Sequence, residues 1–82
     1  QKGKEFENIE LSIRQKQILS LILEMDEAGP SKIAKELNFS LSTSYRELIG
    51  LENQKLLTSS SSGKRSLSPR GVKYLEYYSN SF

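Results

Sequence analysis

The feature that most constrains the fold is the short connection Asn38-Phe39-Ser40, which separates two stretches with helical periodicity. Asparagine is one of the few residues other than glycine that tolerate a positive φ, and serine is a preferred helix N-cap. We therefore expect one helix to end at Asn38 and the next to begin after Ser40. Two helices joined by such a turn form a helix-turn-helix unit.

Three helices are predicted in the first part of the chain. The first begins after Ser12, because Ser12 and Gln15 match a capping box, and the pair Gly29-Pro30 ends it. We expect Ser31 to cap a short second helix and the third helix to span residues 41–53. Their inward faces are predicted to contain Ile18, Leu21, Ile22 and Met25, then Ile33, Ala34 and Leu37, then Ser44, Leu48 and Leu51.

The remaining sequence predicts a hairpin and one more helix. Residues 56–58 and 64–67 are predicted strands, and the serine-rich residues 59–63 are the flexible tip between them. Ser68-Pro69 is a favourable helix start, because serine caps the helix and proline needs no hydrogen bond at the first helical position. That helix is predicted to run toward Tyr78.

The expected fold class is therefore mainly α with a small β-hairpin: a three-helix core, a two-stranded wing and a C-terminal helix. A chain of 82 residues has room for one domain, which we assign to residues 11–82. Residues 1–10 are charged, with Phe6 and Ile9 as their only apolar side chains, so we expect a flexible lead-in. Because the first residue is Gln1, we expect a processed chain or a domain from a longer protein.

Three segments, in this order, resemble the winged helix-turn-helix regulators, especially the MarR-like and archaeal ones. Residues 31–40, SKIAKELNFS, are similar to their second helix and turn. Residues 48–57, LIGLENQKLL, resemble the end of their recognition helix and its entry into the wing, and residues 67–71, LSPRG, resemble the LTPxG segment that leaves the wing. The resemblance covers about residues 11–78 and implies a domain that binds double-stranded DNA.

Two residues depart from the pattern of these regulators. Lys55 stands where they usually have the glycine that ends the recognition helix, and a non-glycine residue in the left-handed region costs about 1–2 kcal/mol. Ser44 stands where they usually have a β-branched apolar residue, so we expect this helix to be held less firmly.

Composition excludes several functional classes. The chain has neither cysteine nor histidine, so it lacks the residues of disulfides, of zinc–thiolate sites and of most acid–base mechanisms. We expect no metal, no other cofactor and no enzymatic activity. The longest apolar run, Leu21-Ile22-Leu23, is far shorter than the roughly 20 residues of a membrane-spanning helix, so we expect no membrane insertion. Absence of cysteine permits an intracellular protein, and DNA binding implies a cytoplasmic, nucleoid-associated one.

Charge is distributed unevenly along the chain, whose net charge is +2. Residues 1–30 carry 4 basic and 6 acidic side chains, whereas residues 31–82 carry 8 basic and 4 acidic ones. This separation suits a domain that turns one face toward a polyanion.

The resemblance implies base contacts from the N-terminal half of the third helix, at Ser42, Thr43, Tyr45 and Arg46. An α-helix fits the major groove of B-DNA, where each base pair presents a distinct pattern of donors and acceptors. Arg46 is the leading candidate because its guanidinium can bond O6 and N7 of guanine together. The alternatives are a surface salt bridge for Arg46 and packing on the domain for the Tyr45 ring.

Further residues are predicted to contact the DNA backbone. Hydroxyl and basic side chains around the two motif helices are suited to phosphate oxygens, and these are Ser31, Lys32, Lys35 and Ser40. In the wing, Lys64 and Arg65 lie beside a small, flexible tip that fits a minor groove or the backbone. The alternatives are solvated lysines and a loop tip that only adds solubility.

The last helix carries more aromatic residues than a thin core requires. We expect Leu75 and Tyr78 to be core residues, and Tyr74, Tyr77 and Phe82 to be candidates for a homodimer interface. The alternative is that these rings cover the first helix, or Phe6 and Ile9.

Two functions remain open at this point. The first is sequence-specific binding of double-stranded DNA, as in a transcriptional regulator. The second is a winged-helix module that binds proteins in a larger replication, transcription or membrane-remodelling assembly. The modest net charge favours the second, and the basic residues Arg46, Lys64 and Arg65 favour the first.

Overall fold

The computed structural model describes residues 9–81, with side chains through residue 77. Four helices and a two-stranded antiparallel hairpin confirm the predicted fold class. In chain order the elements are α1 (Ile13–Met25), α2 (Pro30–Leu37), α3 (Leu41–Asn53), β1 (Leu57–Ser59), β2 (Arg65–Leu67) and α4 (Pro69–Ser81). Along residues 9–81, none of the helices combines the length and hydrophobicity that a bilayer crossing requires.

Helix α1 begins as predicted but ends earlier than predicted. Its capping box is formed: the Gln15 amide donates to the Ser12 hydroxyl, and the Ser12 amide donates to the Gln15 side chain, both at 3.1 Å. The expected stop at Gly29-Pro30 is wrong, because the helix ends at Met25 and Asp26 turns out of it with a φ of 72°. The released segment lets Ala28 exchange two backbone hydrogen bonds of 2.9 Å with Arg65.

Helix α2 starts one residue before its predicted cap. Pro30 occupies the first helical position and Gly29 is the N-cap, so the prediction of Ser31 as the cap is wrong. Proline is favoured at the first position because its φ is already helical and its missing amide leaves no donor unpaired. Ser31 therefore lies inside the first turn. At the other end, Asn38 adopts the predicted left-handed conformation, with a φ of 59°.

Helix α3 has the predicted bounds and the predicted buried face, since Ser44, Leu48 and Leu51 are all buried. Ser44 is satisfied in the core, because its hydroxyl donates to the Pro30 carbonyl at 2.9 Å and so links α3 to α2. After the helix, Lys55 has a φ of 65°, as expected for the position where glycine is usual. A Cβ at Gly50 would lie 2.7 Å from Nε2 of Gln15, the end of a flexible side chain that can move aside.

Every helix and β1 contribute buried residues to the core, and β2 adds the partly buried Leu67. Helix α1 contributes Leu19 where we expected Leu21 and Met25, which are only partly buried. Ile9 is also buried, so the end of the expected lead-in packs into the core, whereas residues 1–8 lie outside the described part of the chain. The buried apolar set is Ile9, Ile18, Leu19, Ile22, Ala28, Ile33, Leu48, Leu51, Leu56, Leu57 and Tyr74.

The hairpin pairs Leu57 with Leu67 and Ser59 with Arg65, one residue later on each strand than the predicted starts. Its tip is closed by two hydrogen bonds, from the Ser60 amide to the Lys64 carbonyl and from the Gly63 amide to the Ser60 carbonyl. Gly63 has a φ of 88°, which favours glycine. We call residues 57–67 the wing.

Helix α4 starts at the predicted Ser68-Pro69 pair. The Ser68 hydroxyl accepts from the Gly71 amide at 2.9 Å and donates to the Lys55 carbonyl at 2.6 Å. A Cβ on Gly71 would collide with the Leu56 carbonyl oxygen. Glycine is therefore required there, because the backbone of α4 lies directly against the chain that enters the wing.

Candidate nucleic-acid interface

The outward face of α3 presents three of the four predicted base-contact residues. Ser42, Tyr45 and Arg46 are exposed on the helix whose opposite side is buried. Thr43 is only partly exposed, and its hydroxyl accepts from the Ser40 hydroxyl at 2.8 Å. The structure therefore brings Ser42, Tyr45 and Arg46 together on one surface and turns Thr43 toward the start of the helix.

Arg46 has no ion pair or hydrogen bond among the described residues, so the surface salt bridge that we considered for it is not formed there. An exposed guanidinium presents a planar set of N–H donors, which matches the paired acceptors of a guanine edge or of a phosphate. Arg46 is thus the side chain on α3 best placed to meet an acceptor from outside the domain.

The hydroxyls at the start of α3 are already engaged with one another. Ser40 caps the helix by accepting from the Thr43 amide at 3.1 Å, and its oxygen lies 3.2 Å from that of Ser42. The cap orients the first turn of α3, whose remaining amides point away from the helix body. Ser40 therefore acts first as a structural cap at this end of the helix.

The predicted phosphate contacts on α2 are all exposed, namely Ser31, Lys32 and Lys35. Lys32 pairs with Glu36 one turn later, at 3.2 Å, and both side chains are more than two-fifths exposed. Among residues 9–81, Lys35 makes no ion pair. An exposed i, i+4 pair contributes only about 0.3–0.5 kcal/mol, so a phosphate oxygen competes readily for Lys32.

The two basic residues of the wing have different surroundings. Lys64 is exposed, and its Nζ lies 3.6 Å from Oε1 of Glu27. Arg65 is turned inward: its side chain is 14% exposed, Nη1 donates to the Gly63 carbonyl at 2.6 Å, and Nη2 lies 3.5 Å from Oε1 of Glu52. The Arg65 side chain therefore ties the wing to the end of α3, and Lys64 is the wing cation that faces solvent. A DNA-backbone contact from Arg65 stays an untested prediction.

The sequence contains a clue to this difference that we did not use. Successive side chains of extended chain point to opposite faces, so Lys64, directly before β2, and Arg65, its first residue, are expected to point in opposite directions. The Ala28–Arg65 backbone bridge then fixes which of the two faces the body of the domain.

Sequence reasoning also missed two apolar residues on the exposed surface of α3. Leu41 and Ile49 are 49% and 53% exposed, and Tyr45, between them, is 46% exposed. Residues four apart lie on one side of a helix, so the three side chains form a continuous band beside Arg46. The spacing of apolar residues at 41, 45 and 49 would have revealed it.

The predicted dimer residues separate into different environments. Tyr74 is 1% exposed and belongs to the core, so its prediction as an interface residue is wrong. The alternative was that the rings cover the first helix, or Phe6 and Ile9, and Tyr74 is buried in one cluster with Ile9 and with Ile18 and Ile22 of α1. Tyr77 is partly buried against the core, and Phe82 and the Tyr78 side chain lie outside the described part of the structure.

Comparison with known proteins identifies the fold that these elements form. No protein-family model matches the chain, and no curated protein matches it significantly in sequence. Among solved structures, wild-type ZitR of Lactococcus lactis is similar to it, with a TM-score of 0.78 and 27% sequence identity over 89% of this chain and 51% of that chain. The fold is a winged helix-turn-helix.

Within the winged helix-turn-helix, α2, the turn and α3 are the helix-turn-helix unit, and β1 and β2 are the two strands of the wing. The present chain spans about half the length of ZitR, so the likeness covers one winged helix-turn-helix unit. Within that unit, Ser42, Tyr45 and Arg46 of α3 and Lys64 of the wing are exposed to solvent.

Proposed function

We propose that this chain binds double-stranded DNA, with α3 in the major groove and the wing on the adjacent backbone, as part of a transcriptional regulator of the MarR-like type. The observation that carries the proposal is the exposed Arg46, which has no partner among the described residues and lies at the centre of the outward face of α3. The winged helix-turn-helix fold that the chain shares with ZitR, together with the resemblance of its motifs to winged helix-turn-helix regulators, supports a regulatory DNA-binding role.

Base contacts are proposed for the exposed part of α3. Arg46 bonds O6 and N7 of a guanine in this arrangement, a contact worth about 1–3 kcal/mol of discrimination against other bases. Ser42 and Tyr45 lie beside it on the same surface. Thr43 is proposed to orient the first turn through its bonds with Ser40, and any base contact from Thr43 is secondary.

Backbone contacts are proposed for the exposed cations on either side of α3. These are Lys32 and Lys35 on α2 and Lys64 in the wing, with Ser31 and Ser40 as polar neighbours. The ion pairs of Lys32 and Lys64 are exposed and therefore weak, so they exchange for phosphates at little cost. Contacts of this kind fix position and orientation, whereas the α3 contacts select sequence.

Dimerisation stays a prediction that rests on the end of α4. Regulators that bind palindromic sites present two copies of the helix-turn-helix, one helical turn of DNA apart. Tyr77 and Phe82 remain the candidate residues for such an interface, and Tyr74 does not, because it is buried.

A second candidate function is a protein-binding module. The observation that favours it is the apolar band Leu41, Tyr45 and Ile49 on the exposed side of α3, since charged residues are depleted and aromatic residues enriched at the centres of protein interfaces. Against it, Arg46 and Lys64 are exposed cations at positions where the resemblance to winged helix-turn-helix regulators implies DNA contacts.

Fluorescence anisotropy with labelled, mixed-sequence DNA tests the proposal. The duplex is compared with its single strand at two salt concentrations, while circular dichroism verifies the fold. We expect the duplex to bind more tightly and its binding to weaken steeply as salt rises, because phosphate contacts release counterions. A folded chain that binds no duplex at low salt contradicts the proposal and favours the protein-binding module.

A further inference from the structure

The apolar band on α3 places three of the exposed large apolar side chains of the described residues on one side of one helix. Leu41, Tyr45 and Ile49 are each about half exposed, so the described residues leave about half of each side chain open to solvent. Single exposed apolar residues are normal, but three at four-residue spacing on one helix form a continuous patch, and such patches mark sites of interaction.

The polar residues beside the band indicate what covers it. Besides the three apolar residues, the exposed residues of α3 are Ser42, Arg46 and Asn53, so the one charge among them is positive. Glu52, at the end of the band, is 26% exposed and is paired with Arg65. Positive charge beside apolar side chains suits a partner that is anionic overall and presents apolar groups within its surface. The major groove of DNA has this combination, because the thymine C5-methyl lies among phosphates and polar base edges.

The length of the band suits several successive base pairs. Leu41 and Ile49 are eight residues apart, which is about 12 Å along a helix axis. At about 3.4 Å per base pair, this distance corresponds to three or four base pairs along the groove.

We propose that Leu41, Tyr45 and Ile49 read thymine methyl groups, so that the preferred sites contain A·T pairs next to the guanine that Arg46 contacts. The inference rests on the proposed function and deepens it, since it names the class of DNA sequence that the chain selects. The apolar band supplies selectivity for thymine, and Arg46 supplies selectivity for guanine.

Deoxyuridine tests the proposal because it pairs as thymine does and lacks only the methyl group. The wild-type chain is first used to enrich binding sites from a randomised duplex pool. The enriched duplex is then made with thymine or with deoxyuridine at each A·T pair, and both forms are titrated. We expect about fourfold weaker binding for each methyl group that the band covers.

Variants tie this effect to the band. The wild-type chain should prefer thymine to deoxyuridine at particular A·T pairs. At one or more of these pairs, Tyr45→Ala and Ile49→Ala should each lose the preference and bind the two duplexes with equal affinity. Leu23→Ala is the matched control, because Leu23 is 54% exposed on α1, away from α3, and its removal should leave the discrimination unchanged. Circular dichroism verifies that all variants are folded.

Two sets of results separate this proposal from the proposed function. Enrichment of sites without A·T pairs, equal affinity for the thymine and deoxyuridine duplexes, or discrimination that persists in both variants overturns the reading of methyl groups while DNA binding stands. If the folded chain retains no duplex from the pool at low salt, both proposals fall, and the band is then the contact surface of a protein partner.

Discussion

Arg65 in β2 and Glu52 near the end of α3 form an ion pair, with 3.5 Å between Nη2 of the arginine and Oε1 of the glutamate. The same guanidinium donates to the Gly63 carbonyl at 2.6 Å, and the Arg65 backbone is bonded to Ala28. One residue therefore joins the wing tip, the end of α3 and the segment after α1. The position of the wing relative to α3 depends on this residue.

Replacing Arg65 should lower the stability of the domain more than replacing the neighbouring Lys64 does. Arg65→Ala removes a partly buried cation and its hydrogen bonds, so we expect the free energy of unfolding in urea to fall by about 1–3 kcal/mol. Lys64→Ala is the matched control and should change it by less than about 0.5 kcal/mol, because Lys64 is exposed. Equal stability of the two variants would show that the Arg65 tether contributes nothing.

Gly71 should be intolerant of any side chain. In Gly71→Ala the new methyl collides with the Leu56 carbonyl, and the backbone of α4 must move away from the wing entry. Overpacking of this kind costs about 1–3 kcal/mol, which thermal or urea unfolding measures. Gly29→Ser is the control, since nothing lies within 4 Å of a Cβ there. If Gly71→Ala is as stable as Gly29→Ser, the close approach of α4 to Leu56 is not a packing requirement.

Ser44 should stabilise the helix-turn-helix through its hydroxyl. The bond from Ser44 to the Pro30 carbonyl is the side-chain hydrogen bond between α2 and α3 in the described residues. Ser44→Ala should therefore lower the free energy of unfolding by about 0.5–1.5 kcal/mol. Ser42→Ala, on the exposed face of the same helix, should have a smaller effect. The reverse order of these two variants would contradict this role for Ser44.

Elements governed by neighbouring residues could be predicted from the sequence. The caps at Ser12 and Ser68 and the left-handed Asn38 depend on residues within one helical turn, and each was found where the local pattern indicated it. The bounds of α3 were predicted for the same reason. The preference of serine for the N-cap position gave a wrong prediction at Ser31, because Pro30 occupies the first helical position and makes Gly29 the N-cap.

Features that depend on distant parts of the chain could not be predicted in this way. The Ala28–Arg65 bridge joins the segment after α1 to the first residue of β2, whose side chain is turned toward Gly63 and Glu52. Nothing near Arg65 in the sequence indicates that residues after α1 will pair with it. Tyr74 was misplaced for a similar reason, since which aromatic face of α4 is buried depends on how that helix docks on the core.

The binding of Arg46 and Lys64 to duplex DNA is the central claim, and a double variant tests it most directly. Arg46→Ala with Lys64→Ala removes one exposed cation from α3 and one from the wing and leaves Arg65 in place, so the fold should be preserved. Lys73→Ala, which removes an exposed cation from α4, is the matched control. By anisotropy on one labelled duplex, we predict about tenfold or greater loss of affinity and a smaller salt dependence for the double variant only. Unchanged binding by a folded double variant, or equal losses in the control, would contradict the account.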